Sequence, residues 1–145
     1  MTGWRLGYAA GPKAIIEQMT KLQQYTFVCA PSMVQYAAIA TFAPGIDMSA
    51  YIESYRSKRD RIVNGLKDLF EINLPGGAFY VFPKTPNNVS ATEFVHQAIE
   101  RNVLIIPGNV FSNRDTHFRI SYATSDNKLD QGIAVLRELA KEMSR

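Results

Sequence analysis

Two arginines stand in sequence contexts that could hold an anion. Arg5 lies within the run Gly3-Trp-Arg-Leu-Gly7, and Arg119 lies within the alternating run Phe118-Arg-Ile-Ser-Tyr122. A guanidinium group is planar and permanently charged, and its fork of N–H donors matches a carboxylate or a phosphate. Each position also has a simpler interpretation. Arg5 could form a surface salt bridge on a glycine-rich turn, and Arg119 could be the solvent-facing residue of an edge strand.

Other reactive groups give little support for a metal site or a nucleophile. His96 and His117 are far apart, and neither stands at ligand spacing from cysteine or carboxylate side chains, so no metal is predicted. The sequence contains neither a phosphate-binding P-loop nor a Gly-x-Ser-x-Gly turn. Cys29 is the only cysteine, so an internal disulfide is excluded, which agrees with a reducing compartment.

The bulk composition is that of a soluble protein with its own core. The chain has 145 residues, of which 46% are hydrophobic and 20% charged, and its net charge is +3. This charge is too small to indicate nucleic acid or an anionic membrane as a partner. The first eight residues lack the layout of a secretory signal, and we expect a cytoplasmic location. The basic residues at 56–61 fall in a helical pattern and are predicted to form a solvated helix face.

Hydrophobic spacing predicts five helices along the chain. They cover residues 13–25, 32–42 and 48–69, a stretch that begins after Ser90, and residues 126–143. Ser32 and Asp47 are predicted to cap the second and third helices. Ser90 and Glu93 have the spacing of a capping box, in which each side chain satisfies the other residue's backbone N–H.

Four strands are predicted at residues 6–10, 78–82, 103–106 and 117–122, from β-branched and aromatic content bounded by turn residues. The order of elements favours an α+β fold with a small, mostly antiparallel sheet covered by helices on one face. The first strand has no partner nearby in the sequence. It is therefore interpreted as part of a larger sheet that this chain lacks.

Three segments have a characteristic composition, order and spacing. They are Met1-Thr-Gly-Trp-Arg-Leu-Gly-Tyr8, then Pro75-Gly-Gly-Ala-Phe-Tyr80, then Val103-Leu-Ile-Ile-Pro-Gly108 leading to Phe118-Arg-Ile-Ser-Tyr-Ala123. Together they resemble the class I and II aminotransferases, enzymes of fold type I that use pyridoxal phosphate. The resemblance covers essentially the whole chain and implies the C-terminal portion of such an enzyme. Residues 1–44 would be the tail of the large α/β cofactor-binding domain, and residues 45–145 the small domain.

The resemblance implies a role for each arginine. Arg5 matches the family arginine that binds the cofactor phosphate. Arg119 matches the arginine that binds the substrate α-carboxylate, which would orient the α-C–H bond for proton removal. In the family, a Ser-x-Ser-Lys stretch directly precedes the first segment, and its lysine bonds to the cofactor and moves the proton. No lysine from Lys13 onward stands at that position, so we expect no catalytic residue and no activity in this chain alone.

The intact protein is expected to transfer an amino group from an amino acid to a 2-oxo acid, as a homodimer with shared sites. Residues 25–35 resemble the stretch that lies against the second subunit, and Cys29 is interpreted as interface packing. Without its sheet, the large-domain remnant should expose a group of apolar side chains and self-associate. They are Leu6, Tyr8, Val34 and Ile39.

Two turns resemble active-site turns of the family. Residues 75–79 resemble a loop near the substrate entrance, but they could also be a tight turn that needs glycine at positive φ. Pro107-Gly108 resembles a second such turn, and no contact is assigned to Phe111 beyond it.

Three other functions stay open on the sequence. One is a different fold type I reaction, such as β-elimination from a sulfur amino acid. Another is a non-enzymatic sensor, in which an aminotransferase-like domain is fused to the DNA-binding module of a transcription regulator. The third is a short gene product that serves as an interaction module.

Overall fold

The computed structural model describes residues 2–144, which form two compact units. Residues up to Asp47 make up the first unit, and residues from Met48 make up the second. Met1, at the start of the first resembling segment, and Arg145, at the end of the predicted small domain, lie outside the described residues. The assignment of residues 1–44 and 45–145 to two aminotransferase domains stays a prediction.

The first unit contains two helices, as predicted. After a short 3-10 turn at Thr2–Trp4, α1 spans Lys13–Gln23 and α2 spans Ser32–Ala40. No residue of α1 is buried. The predicted exposure is confirmed for Tyr8 and Ile39, which are 82% and 68% exposed, whereas Leu6 is half-buried. The prediction is wrong for Val34, which is buried because it lies on the packed side of α2.

The strand predicted at residues 6–10 is absent. These residues have no regular structure, and apart from Leu6 they are exposed. A β-strand is stable only when a neighbouring strand accepts and donates its backbone hydrogen bonds. Within residues 2–144 no strand pairs with this segment, so its apolar composition cannot impose strand structure.

The second unit is an α+β layer, which confirms the predicted fold class. Its helices are α3 at Ser49–Leu66, α4 at Ala91–Glu100 and α5 at Asp126–Glu142. Its strands are β1 at Tyr80–Val81, β2 at Ile106–Pro107 and β3 at Phe118–Ser121. The sheet order is β1-β3-β2, and both pairs are antiparallel. No helix within the described residues is long and apolar enough to cross a membrane.

The strands β1 and β2 are shorter than the sequence predicts, and Pro107, predicted to stop β2, belongs to it. Pro107 faces Phe118 across the pair, and the Phe118 N–H is bonded on its other side, to the carbonyl of Pro83 at 3.0 Å. A proline without an N–H donor is therefore tolerated at this edge position. At the other end, the N–H of Val103 bonds back to Ala98 at the end of α4 rather than to a strand.

The core lies between the inner sheet face and the helices. Phe94 of α4 is fully buried, with its ring stacked on Phe118 of β3 at 4.7 Å and edge-on to Phe70 at 5.7 Å. The predicted alternation along β3 is confirmed, because Phe118 and Ile120 are buried while Arg119 and Ser121 are not. Residues of β3 that face outward are therefore held in place by a packed layer beneath them.

The helix ends confirm one predicted cap and correct two. The Ser90 side chain accepts a hydrogen bond from the Glu93 N–H at 3.1 Å, which is one of the two bonds of the predicted capping box, while the Glu93 carboxylate accepts from Gln97 at 3.3 Å. The N-cap of α2 is Pro31 rather than Ser32, because the Pro31 carbonyl already accepts the N–H groups of the first turn. The N-cap of α3 is Met48 rather than Asp47, so the predicted side-chain cap is one residue out of place.

The basic cluster on α3 is less solvated than predicted. The side chains of Lys58 and Arg59 are only 20% exposed. Lys58 donates to the carbonyl of Thr124, just before α5, and Arg61 pairs with Asp126 and Asp130 of α5. Lys58 and Arg61 therefore tie α3 to α5, which sequence spacing cannot show because their partners lie more than 60 residues away.

Candidate functional site

Arg119 is held between two aromatic rings on the outer face of the sheet. Its guanidinium carbon lies 4.4 Å from the ring centre of Tyr80 and 4.6 Å from that of Phe111. Tyr80 belongs to β1 and Phe111 follows β2, so the rings approach from the two strands that flank β3. Contacts of this kind between a cation and a ring face are stabilising by about 0.5–1 kcal/mol each at partly exposed sites.

The N–H donors of Arg119 are available to bind an anion that is not part of the described residues. Within residues 2–144, the guanidinium forms no hydrogen bond or ion pair. The side chain is half-buried, so an anion bound there would be partly shielded from water. A carboxylate, with two oxygens in one plane, has the geometry that such a fork accepts.

Gly108 fixes the turn that carries Phe111. It is buried, its N–H donates to the carbonyl of His117 at 2.7 Å, and its own carbonyl accepts from Phe111 at 2.9 Å. A Cβ at this position would lie 2.6 Å from the His117 oxygen and 3.0 Å from the ring of Phe82. Only glycine allows β2, β3 and the Phe82 ring to approach this closely.

Replacing Gly108 with alanine is expected to lower the free energy of unfolding by about 1–3 kcal/mol, because the clash is with backbone that cannot move without disturbing the β2–β3 pair. Gly132→Ala is the matched control. Its Cβ would meet nothing within 4 Å on α5, and the change should stabilise by about 0.5–1 kcal/mol. Urea unfolding followed by circular dichroism measures both, and equal effects of the two substitutions would contradict the close approach at Gly108.

The loop at residues 75–79 is organised by Tyr122, the residue directly after β3. Fully buried Tyr122 donates its hydroxyl to the carbonyl of Ala78 at 2.8 Å and its backbone N–H to that of Phe79 at 3.0 Å. The expected glycine at positive φ is not found at Gly76 or Gly77. Ala78 takes that conformation instead, with φ at 62°. Holding an alanine in this left-handed backbone conformation costs about 1–2 kcal/mol of conformational free energy, and the two hydrogen bonds from Tyr122 help to offset that cost.

Tyr122→Phe is expected to destabilise the protein by about 1 kcal/mol at neutral pH, through loss of the hydroxyl bond to Ala78. Burial raises the pKa of the Tyr122 hydroxyl, with a smaller opposing effect of Arg59. The folded state therefore holds this proton more tightly than the unfolded state. The resulting stability is complete below the ordinary tyrosine pKa of about 10 and is lost as pH rises through the raised value.

The unfolding free energy of the unchanged protein should thus fall more steeply above pH about 10 than that of the Tyr122→Phe variant. Tyr25→Phe, at a tyrosine that is 78% exposed, serves as the control and should follow the unchanged protein. Parallel pH profiles for all three proteins would show that the Tyr122 proton is not linked to folding.

Arg5 lies in the first unit, directly after the turn Thr2–Trp4. It is exposed, has a positive φ of 52°, and forms no hydrogen bond or ion pair with the described residues. A permanently charged guanidinium with all its donors available fits the requirement of a phosphate dianion. Arg5 and Arg119 belong to different units, and their predicted roles in binding phosphate and carboxylate stay predictions.

The remaining reactive residues add no second site. Within residues 2–144, no group of three or more histidine, cysteine or carboxylate side chains could hold a metal ion. His96 is exposed on α4, and the His117 ring stacks on Phe82 at 5.4 Å. Cys29 is exposed, and its interpretation as an interface residue is not tested by this structure.

Sequence reasoning missed the partners of Arg119. Tyr80 lies in a segment that resembles the family, and Phe111 follows a turn that does, but the sequence predicts no contact of either residue with the arginine. The strand register places Tyr80 opposite Ser121, two residues from Arg119 on the same face. The alternation of side chains along β1 and β3 could have predicted the contact of Tyr80 with Arg119. The contact of Phe111 could not be predicted in this way, because its position depends on the turn at Gly108.

Comparison with known proteins gives the family. The model of the family described as aminotransferase class I and II matches residues 1–136. A probable aspartate aminotransferase of Methanocaldococcus jannaschii is 35% identical over an alignment of 147 residues, gaps included. The alignment covers 96% of this chain and 39% of that protein.

Solved structures agree with this match. The aspartate aminotransferase of Thermotoga maritima matches with a TM-score of 0.78 and 27% identity, over 97% of this chain and 37% of that one. The aromatic aminotransferase of Pyrococcus horikoshii matches with a TM-score of 0.76 and 32% identity, over 99% of this chain and 40% of that one. This chain thus spans about two fifths of the length of these relatives. Enzymes of this family use pyridoxal phosphate as cofactor, and the chain belongs to the class I and II aminotransferases.

Proposed function

We propose that this chain supplies the carboxylate-binding part of an enzyme that transfers an amino group from an amino acid to a 2-oxo acid with pyridoxal phosphate. The observation that carries the proposal is the guanidinium of Arg119, held by Tyr80 and Phe111 with its donors unused by the described residues. An amino acid and a 2-oxo acid share the carboxylate next to the reacting carbon. One clamp can therefore hold both the donor and the acceptor.

In this proposal Arg119 binds the α-carboxylate through two parallel hydrogen bonds and fixes the orientation of the α-carbon. That orientation matters because proton removal is efficient only when the C–H bond is aligned with the accepting group. Arg5 binds the phosphate group of the cofactor by charge and hydrogen bonding. Pyridoxal phosphate, when bound, supplies the electron sink for breaking the α-C–H bond.

We further propose that residues 1–145 alone are inactive. The family mechanism needs an amine that bonds to the cofactor, and no lysine here follows a Ser-x-Ser sequence. Lys58 does follow Ser57, but it lies within α3 and donates to the carbonyl of Thr124. Its contacts are those of a structural residue rather than of an amine facing a cofactor.

We also propose that the intact enzyme is a cytoplasmic homodimer in which the two subunits share their active sites. The exposed apolar side chains of the first unit support an interface, since a surface this apolar is rarely left in water. They include Tyr25, Phe27, Met33, Tyr36 and Ile39. The single cysteine is consistent with a reducing compartment.

The proposal is tested on the product of the complete reading frame that encodes this sequence, beside residues 1–145 alone. Pyridoxal phosphate is added to each, and absorbance of the bound cofactor is followed as single amino acids and then 2-oxo acids are supplied. We expect amino acids to convert the cofactor in the reading-frame product, 2-oxo acids to restore it, and residues 1–145 to do neither. Cofactor binding without conversion by any amino acid would favour the sensor function, and ammonia or thiol release would favour elimination.

A further inference from the structure

A chain of ring contacts runs across the outer sheet face to Arg119. His117 stacks on Phe82 at 5.4 Å with the planes 12° apart, and Phe82 meets Phe111 edge-on at 6.4 Å. Phe111 and Tyr80 then approach the guanidinium at 4.6 Å and 4.4 Å. Phe111 is thus supported from one side by the other rings, although it is itself 49% exposed.

The backbone fixes where these rings stand. Tyr80 is placed by the pairing of β1 with β3, and Phe111 is placed by its bond to Gly108, which in turn is bonded to His117 of the segment entering β3. The two rings that reach Arg119 are therefore set by hydrogen bonds to the same stretch of chain that carries the arginine.

This arrangement addresses the main cost of using arginine as a clamp. A free arginine side chain has many rotamers, and ordering it on binding costs conformational entropy. A side chain already ordered by ring contacts avoids part of that cost, and its donors are aimed before the anion arrives.

We infer that Phe111, together with Tyr80, positions the Arg119 guanidinium for bidentate binding of a carboxylate. Phe111 is a positioning residue in this inference, because it acts on the arginine and is not assigned a contact with substrate. The inference rests on the proposed role of Arg119. It adds that carboxylate affinity depends on an aromatic face at position 111.

The test uses this chain with its arginines labelled with nitrogen-15, and acetate as the probe. The Nε–H signal of Arg119, assigned by its loss in Arg119→Gln, should be displaced by the ring currents of Tyr80 and Phe111 and should move further as acetate is added. In Phe111→Leu we expect the ring-current displacement to shrink and acetate to bind about 3- to 10-fold more weakly, the scale of one ring contact plus lost ordering. Phe111→Trp, which keeps an aromatic face, should restore affinity.

Val110→Ala is the matched control, because Val110 lies in the same turn and is 65% exposed. It should leave the acetate affinity unchanged. If Phe111→Leu disturbs the backbone spectrum, Tyr80→Leu provides the same test from the other flanking strand. If Phe111→Leu, or Tyr80→Leu where that variant is used, binds acetate as tightly as the unchanged chain does, the inference is overturned. The role of Arg119 would then stay intact. An Arg119 signal that acetate does not move in the unchanged chain would overturn both.

Discussion

Replacing Phe94 with alanine is expected to lower the free energy of unfolding of the second unit by about 3–5 kcal/mol. Phe94 is fully buried and contacts two other rings, those of Phe118 and Phe70. Its removal deletes a large apolar surface and leaves a cavity beneath β3, the strand that carries Arg119. Because small domains are stable by only about 5–15 kcal/mol, a loss of this size removes a large part of the total.

Urea unfolding monitored by the helical circular dichroism signal measures this effect. His96→Ala, on the exposed side of the same helix, is the control and should change stability by less than about 0.5 kcal/mol. A Phe94→Ala variant within about 1 kcal/mol of the unchanged protein would show that the core does not depend on this ring cluster.

The second large effect is expected at Arg119. In the product of the complete reading frame, Arg119→Gln should lower kcat/KM for amino donors by about 10²- to 10⁴-fold, since two charge-assisted hydrogen bonds of about 1.5–3 kcal/mol each are lost. Arg119→Lys keeps the charge but not the planar fork, so its activity should lie between those of the glutamine variant and the unchanged protein.

Arg114→Gln is the matched control for this change. Arg114 is an exposed arginine in the loop that leads to β3. Its replacement removes the same charge and should leave kcat/KM nearly unchanged. Equal losses in Arg114→Gln and Arg119→Gln would indicate a general effect of positive charge rather than a specific clamp.

Local sequence signals predicted the elements that carry their own stabilising pattern. The predicted cap by Ser90 is confirmed because its side chain and the Glu93 N–H lie within one helical turn. The apolar stripe of α5 is likewise confirmed, with Leu129, Ile133 and Leu136 buried. The strand predicted at residues 6–10 is wrong, because strand structure needs a partner strand that the sequence of the segment cannot supply.

The candidate site was predictable only in part for the same reason. Arg119 stood out by residue type and by its place in the alternation of β3, but its ring contacts arise from strand register and from the turn at Gly108. The positive φ at Ala78 could not be predicted either. It accompanies a hydrogen bond from Tyr122, 44 residues further along the chain.

Arg119 is proposed to hold the α-carboxylate of the substrate. The most direct test of this role compares kcat/KM for an amino acid with that for the amine that lacks only this carboxylate, in the product of the complete reading frame and in its Arg119→Gln variant. We predict that the substitution removes most of the preference for the amino acid and leaves the slower reaction of the amine nearly unchanged. A substitution that slowed both reactions by the same factor, or that left the preference intact, would contradict the claim.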